Sequence, residues 1–358
     1  MIMKSVIFVT VSMGGGGVER IISILADYFV KHNFNVSIMM LVGNTVSYEL
    51  DSRIKLISIG EASGGKMGTR IRRVQSMRRV FKQNRESTVV AMTSVASIFS
   101  LIASIGLKNK VVISERNHPD ILNGKPYTKG MRLIRDFLYG MADICVLQTY
   151  DAKQYFKKRI ADKSVVIPNP IPNNLVKPYV GRREKVIVTA GRLVPVKNHQ
   201  MLLEAFAIFH KEHEDYILKI YGSGELEEEL KKRTIDLSID SSVCFIPFTN
   251  QLHQEIKNSS IYVSTSNSEG ISNSILEAMA LGIPTIATDC PIGGTKMCIE
   301  NDINGILIPV GDVGQLANSM KKIAENDDFA EKLSFNAVKV RDTFSQDKII
   351  SQWMEIIS

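Results

Sequence analysis

Short apolar, β-branched runs alternate with amphipathic helical stretches along the whole chain, the order that parallel βαβ units require. The first half holds expected strands near Ser5 to Thr10, Asn35 to Leu41, Val89 to Met92, Val111 to Ser114 and Ile144 to Leu147, with helices such as Glu19 to Lys31 between them. After VVIPNPIPNNLVKPYVGRR, Val165 to Arg183, which holds four prolines and little periodicity, the pattern restarts. Its strands are expected at Lys185 to Ala190, Tyr216 to Tyr221, Val243 to Ile246, Ile261 to Thr265 and Thr285 to Ala287. A length of 358 residues suits two modules. The expected class is therefore α/β, with two Rossmann-like, doubly wound parallel sheets. Their expected extents are 1–175 and 176–340, leaving a terminal segment, 341–358. That segment's short amphipathic helix, Ser351 to Ile357, carries the only tryptophan, Trp353, and must dock, crossing back to the first module being one way. Two such modules facing each other put the carboxyl ends of both sheets on one interdomain cleft, where loop motifs converge.

Composition narrows the class further. Hydrophobic residues at 44% and charged residues at 23%, with 24 Gly and 11 Pro, exclude collagen, coiled coil and wholesale disorder. Cys145, Cys244, Cys290 and Cys298 form no C-x-x-C pair, so no disulfide framework or structural zinc site is suggested and a reducing, cytoplasmic compartment fits. Met1 to Met13 lacks a small-residue cleavage site and reads as a strand. Ser87 to Leu107 is uncharged over 21 residues, yet its seven Ser and Thr side chains divide it into a buried strand and a buried helix, not a membrane span.

The net charge of +7 is concentrated in one place. Between Lys66 and Arg85 stand Arg70, Arg72, Arg73, Arg78, Arg79 and Lys82 without an acidic residue, while Met67, Ile71, Val74, Met77 and Phe81 recur at helical spacing. This basic amphipathic helix suits anionic lipid headgroups or a pyrophosphate-bearing acceptor better than nucleic acid; a merely solvated face is the plain alternative.

Three loop motifs carry chemistry. Gly14 to Gly17 follow the first strand and open a helix, so Gly15, Gly16 and Gly17 allow close backbone approach to an anion beside free N–H groups; a ligand-free turn is the plain reading. The spacing is neither Walker A nor the dinucleotide fingerprint. Gly191-Arg192-Leu193, with Lys197 five residues after the arginine, offers a guanidinium fork and a point charge that together neutralise a diphosphate. No Asp-x-Asp occurs anywhere, which argues against holding a diphosphate through a metal. In Ser268-Glu269-Gly270-Ile271-Ser272-Asn273-Ser274-Ile275-Leu276-Glu277 a loop leads into a helix that Gly282 stops, with Ser272 or Asn273 able to cap it and its amino end suited to phosphate. Glu269 in the loop and Glu277 inside the helix can accept hydroxyls of a sugar and of a ribose; on spacing alone they could equally be unrelated.

Taken together, EGISNSILEAMALGIP with its Glu, seven residues, Glu spacing, GRLVPVKN upstream and the first glycine loop resemble the retaining nucleotide-sugar glycosyltransferases of family four, with the GT-B fold. The resemblance spans nearly the whole chain, and ISERNHP and TDCPIGG look like bacterial members that build capsule, O-antigen, exopolysaccharide or lipid-linked oligosaccharide. It implies that Arg192 and Lys197 hold the donor diphosphate, helped by Gly270, Ile271 and the amides of Ser272 to Ser274, and that Glu277 binds the ribose. Glu269 contacts the transferred sugar, Gly15 to Gly17 lie near the donor phosphate or the acceptor, and His118 matches the family's histidine facing the sugar. Lys197-Asn198 stands where the family commonly has lysine-glycine. The implied activity is retaining, metal-independent transfer of a hexose or N-acetylhexosamine from a UDP-sugar to a lipid-linked glycan, by an enzyme without cofactor on the inner face of the cytoplasmic membrane. A GT-B epimerase or phosphorylase, and a non-catalytic basic binding module, are the alternatives.

Overall fold

The computed structural model describes residues 4–60, 66–116, 118–122 and 125–358, with only the backbone given at 66, 67, 122 and 125. Lys66, Met67 and Asn117, which fall in the basic-helix and ISERNHP readings, therefore have side chains outside the described residues, as do Met1 to Met3. The chain divides into two units. One runs up to Pro170 and takes back Asp347–Ser358; the other is Ile171–Gln346.

The strands of the first unit are β1 (Ser5–Thr10), β2 (Asn35–Met40), β3 (Lys55–Ser58), β4 (Ser87–Ala91), β5 (Val111–Glu115), β6 (Ile144–Leu147) and β7 (Ser164–Val166). They form one parallel sheet in the order β3-β2-β1-β4-β5-β6-β7. Every residue of β4 and β5 is buried because helices cover both faces, which is why these strands read as continuous apolar runs. On one face helix α1 (Gly17–Lys31) packs with Phe8, Ile38 and the terminal helix into a single core. On the other, α2 (Lys66–Gln83), α3 (Ser94–Ser104) and α4 (Lys129–Tyr139) lie side by side. Thr93 caps α3 by accepting from the amide of Ala96 at 3.2 Å, so the uncharged stretch is a strand and a helix as expected. No helix among the described residues is long and apolar enough to cross a membrane.

The second unit repeats the plan. Its strands β8 (Glu184–Ala190), β9 (Ile217–Tyr221), β10 (Val243–Ile246), β11 (Ser259–Ser264), β12 (Thr285–Thr288) and β13 (Ile306–Ile308) are all parallel, in the order β10-β9-β8-β11-β12-β13. Helices α5 (His199–His210) and α6 (Asn273–Ala280) follow β8 and β11. In each sheet the winding reverses next to the first strand of its unit. A ligand crevice forms at such a switch point, beyond the carboxyl ends of the strands.

Three expectations need correction. Strands β3, β7 and β13 add to the expected set: each is a short edge strand, too brief to give a clear apolar run. The chain enters the second unit at Ile171 rather than near residue 175, because the Ile171 amide donates to Phe344 and its side chain is buried there. Residues 341–346 stay in that unit as well, with Arg341 donating to the Ala280 carbonyl at 2.7 Å. The terminal helix α7 (Gln346–Ile357) starts five residues earlier than expected, and its Ile349, Ile350, Trp353 and Ile357 complete the first unit's core.

Candidate active site

The cation loop of the second unit is set by close backbone contact. Gly191 and Leu193 donate to the carbonyls of Tyr221 and Ser223, both at 2.9 Å. A Cβ on Gly222 would lie 2.0 Å from the Gly191 carbonyl oxygen, and one on Gly224 2.3 Å from that of Leu193, so glycine at both places is what lets the loops meet. Pro195–Lys197 then make a single 3₁₀ turn, and Asn198 enters α5 at φ 48°. That left-handed conformation explains the departure from lysine-glycine: Asn is the side chain that best tolerates it, and its Oδ1 also accepts from the Met201 amide at 3.4 Å.

The loop after β11, the sheet neighbour of β8, is stitched to this turn. The Thr265 hydroxyl donates to the carbonyls of Lys197 and Asn198 at 3.0 and 2.9 Å, and the Asn267 amide donates to Val196 at 2.8 Å. Across the seam Lys197 Nζ forms an ion pair with Glu269 Oε2, which also accepts from Ser266 at 3.2 Å. Arg192 is exposed, and among the described residues no hydrogen bond or ion pair of its guanidinium is seen; its carbonyl lies 3.3 Å from His199 Nε2. Burial pushes His199 down to about 4, so it is neutral at pH 7.

Helix α6 starts at Asn273, after Ser272, but the expected side-chain cap is not made: Ser272 Oγ is 3.1 Å from Ser274 Oγ instead. Glu277, one turn in, is only 5% exposed and meets His253 Nε2 at 2.7 Å. His253 has no sequence signal that ties it to Glu277, and it joins the candidate residues from the structure alone. The turn after β12 presses on the same loop, for a Cβ on Gly294 would lie 1.9 Å from the Gly270 carbonyl oxygen. Here Ile292 is held at φ 80°, a strained state for a β-branched residue. Arg192, Lys197, Glu269, Gly270 to Ser274 and Glu277 thus stand on loops and a helix start at one switch point.

The candidate residues of the first unit are arranged differently. Gly15 needs its glycine for φ 76°, Gly16 is the extended residue before α1, and Gly17 is the first residue of that helix. The Glu19 carboxylate folds over Gly16, so the protein's own anion lies by the helix amino end where an external one was expected. Beyond β5, Glu115 is buried and accepts from Ser94 at 2.8 Å and Tyr139 at 2.8 Å. Arg116 is buried too, donating to Ser114 and Asn169, both at 2.8 Å, beneath the Trp353 ring at 5.4 Å; burial pushes it down to about 9. Among the described residues of this run, His118 is the one that is half-exposed. Its Nδ1 accepts from the Asp120 amide at 3.1 Å, which leaves the neutral ring's proton on Nε2, and burial lowers its pKa.

The basic helix is only partly a free face. Arg78 Nη1 donates to Ala103 and Ile105 at the end of α3, at 3.0 and 2.6 Å, while Arg70, Arg72, Arg79 and Lys82 are exposed and Arg73 is half-buried. Among the described apolar positions of this helix, Met77 and Phe81 are buried, while Ile71 is 52% exposed.

Residues 174–340 match the family described as Glycosyl transferases group 1. An uncharacterized glycosyltransferase of Haemophilus influenzae is 26% identical over 99% of this chain and 100% of its own length. The GalNAc-alpha-(1->4)-GalNAc-alpha-(1->3)-diNAcBac-PP-undecaprenol alpha-1,4-N-acetyl-D-galactosaminyltransferase of Campylobacter jejuni is 24% identical over 99% of both chains. Among solved structures, Anabaena HepE in complex with UDP and glucose superposes with a TM-score of 0.84 at 20% identity, covering 99% of this chain and 98% of its own. The chain therefore has the GT-B fold, with its two parallel sheets, and its second unit carries the match to the group 1 glycosyl transferases.

Proposed function

We propose that the protein transfers a hexose or N-acetylhexosamine from a UDP-sugar to a lipid-linked glycan, with retention of configuration, in the assembly of a bacterial surface polysaccharide or oligosaccharide. The observation that carries this reading is the Lys197–Glu269 ion pair beside the exposed Arg192, at the switch point and within reach of the α6 amino end. A diphosphate brings charge that takes over Lys197 and engages Arg192, and Glu269 is released to the hydroxyls of the sugar. Glu277, oriented by His253, accepts the paired hydroxyls of the ribose. HepE has been solved with UDP and glucose, and the Campylobacter relative is named for a PP-undecaprenol-linked substrate; both support this donor and acceptor class.

In the proposed reaction the bond from the sugar's anomeric carbon to the β-phosphate oxygen breaks while the acceptor oxygen bonds to the same face of that carbon. The acceptor's proton passes to the departing diphosphate. Negative charge grows on the β-phosphate, so preorganised cations there act on the main barrier and contribute roughly 3–4 kcal/mol each. Two cations suffice for a diphosphate, and we propose transfer without a metal or other cofactor. Glu269 serves as a sugar-binding group and not as a nucleophile. His118 contributes its Nε2–H to a sugar hydroxyl. The enzyme works as a peripheral protein at the cytoplasmic face of the membrane, holding no nucleic acid.

The test offers UDP-, GDP- and ADP-sugars with candidate lipid acceptors and follows the product by mass spectrometry and NMR. A glycolipid of retained anomeric configuration formed from a UDP-sugar is expected. Product from another nucleotide sugar only, an inverted linkage, or a free sugar phosphate contradicts the proposal.

A further inference from the structure

Helix α4 turns a cation inward: Arg135, buried with Leu138 and Tyr139, is 1% exposed, lies over the rings of Tyr127 at 5.0 Å and Phe156 at 5.1 Å, and donates to Asp136 at 2.9 Å and to the Pro119 carbonyl. Its outward positions are apolar: Leu133, Ile134 and Phe137 are 63%, 62% and 64% exposed, with Met141 just past the helix end also outward. Leu133, Phe137 and Met141 recur every four residues and Ile134 sits beside them, so they form one strip along the helix. The buried Arg135 fixes the rotation of the helix and therefore the exposure of the strip.

Cations stand at both ends of the strip. Lys129 and Arg132 are exposed at its start, Arg132 lying 3.2 Å from Asp120. At its end Arg159 and Lys163 donate to the Gly140 carbonyl at 3.3 and 3.0 Å. On the far side of α3, α2 adds Arg70, Arg72, Arg79 and Lys82 to the same face of the sheet. The strip itself carries no carboxylate, since Asp136 faces Arg135. Apolar side chains rimmed by cations complement an anionic leaflet. A second copy related by a two-fold axis would instead set these cations against one another.

We propose that α4 lies in the interface of an anionic bilayer with Leu133, Ile134 and Phe137 among the acyl chains, and that α2 supports it by charge alone. The His118 loop is tied to α4 through Pro119 and Asp120, so this seating carries His118 to the lipid surface. The inference rests on the proposed function only in making that surface the place of the acceptor; vesicle binding is read without any nucleotide or sugar.

The test is flotation of the full-length protein with vesicles of equal parts phosphatidylethanolamine and phosphatidylglycerol. Wild type is expected to float, and the combined Leu133→Ser, Ile134→Ser, Phe137→Ser variant to bind at least about tenfold more weakly with an unchanged thermal melt. Phe137→Ser alone serves if the combined variant does not fold, and Phe137→Trp is expected to shift its emission to the blue on these vesicles and to be quenched by brominated acyl chains. Undiminished flotation of the serine variants overturns the proposal. So does a wild-type dimer that the variant converts to monomer without loss of vesicle binding. A protein that transfers no sugar but floats through α4 would end the proposed reaction and leave this inference standing, and the reverse result would separate them equally.

Discussion

In the second unit Lys197 meets Glu269 and His253 meets Glu277, each pair joining segments far apart in sequence. In the first unit Glu115 accepts from the hydroxyls of Ser94 and Tyr139, and Arg116 donates to Ser114 and Asn169. The contrast separates two uses of charge. An ion pair at a partly open switch point is replaceable, because an incoming anion can take the lysine and free the carboxylate. The buried Arg116, held by the neutral Ser114 and Asn169, has no such exchange and serves the fold: it fastens Asn169, the last polar residue before the chain leaves the first unit, beneath Trp353 of the returning helix.

The sharpest way to break this comparison is to damage one unit and read the other. Trp353→Ala, which empties a fully buried site in the first unit's core, is expected to cost about 3–5 kcal/mol of stability in denaturant unfolding. The second unit's affinity for UDP, measured at low temperature on the folded fraction, is expected to persist. Arg192→Ala and Lys197→Ala reverse the pattern, each lowering turnover about 100–1000-fold with the unfolding midpoint held, as steady-state rates and a thermal melt will check.

A third test uses pH. His199 titrates at about 4 in the folded chain against 6.5 as its ordinary value, so the unfolded chain binds the proton first as pH falls. Its contribution is complete above pH 6.5 and is lost as pH falls through 4, a change of at most about 3 kcal/mol. Unfolding of wild type and His199→Gln at several pH values should show a slope in this window that is shallower in the variant. The smallest effect is expected at the second pair. His253→Gln should weaken UDP binding by about tenfold, since a hydrogen bond to a charged group is worth about 1.5–3 kcal/mol and glutamine retains part of it.

Much of the fold was legible because a strand buried on both faces must be apolar throughout, as β4 and β5 are. Edge strands such as β3 escaped because all four of its residues are exposed or half-exposed at a sheet edge and its run is short. Arg192, Lys197, Glu269 and Glu277 were legible from motif and spacing on loops that the topology places together. His253 was not, since 24 residues separate it from Glu277 and only the fold joins them. Gly222, Gly224 and Gly294 were unread for a related reason: what each glycine accommodates is another loop's carbonyl oxygen, which spacing does not reveal. Helical periodicity set Ile71 on one face with Met77 and Phe81 but locates a face without saying whether anything covers it, and Ile71 stands exposed.

The central claim is that Arg192 and Lys197 together receive a nucleotide's diphosphate. Isothermal calorimetry of UDP with wild type and with the Arg192→Ala, Lys197→Ala double variant tests it directly. Clear binding is expected for the former and a dissociation constant raised more than about 100-fold for the latter. Equal affinity in the two proteins, with both folded, would contradict it.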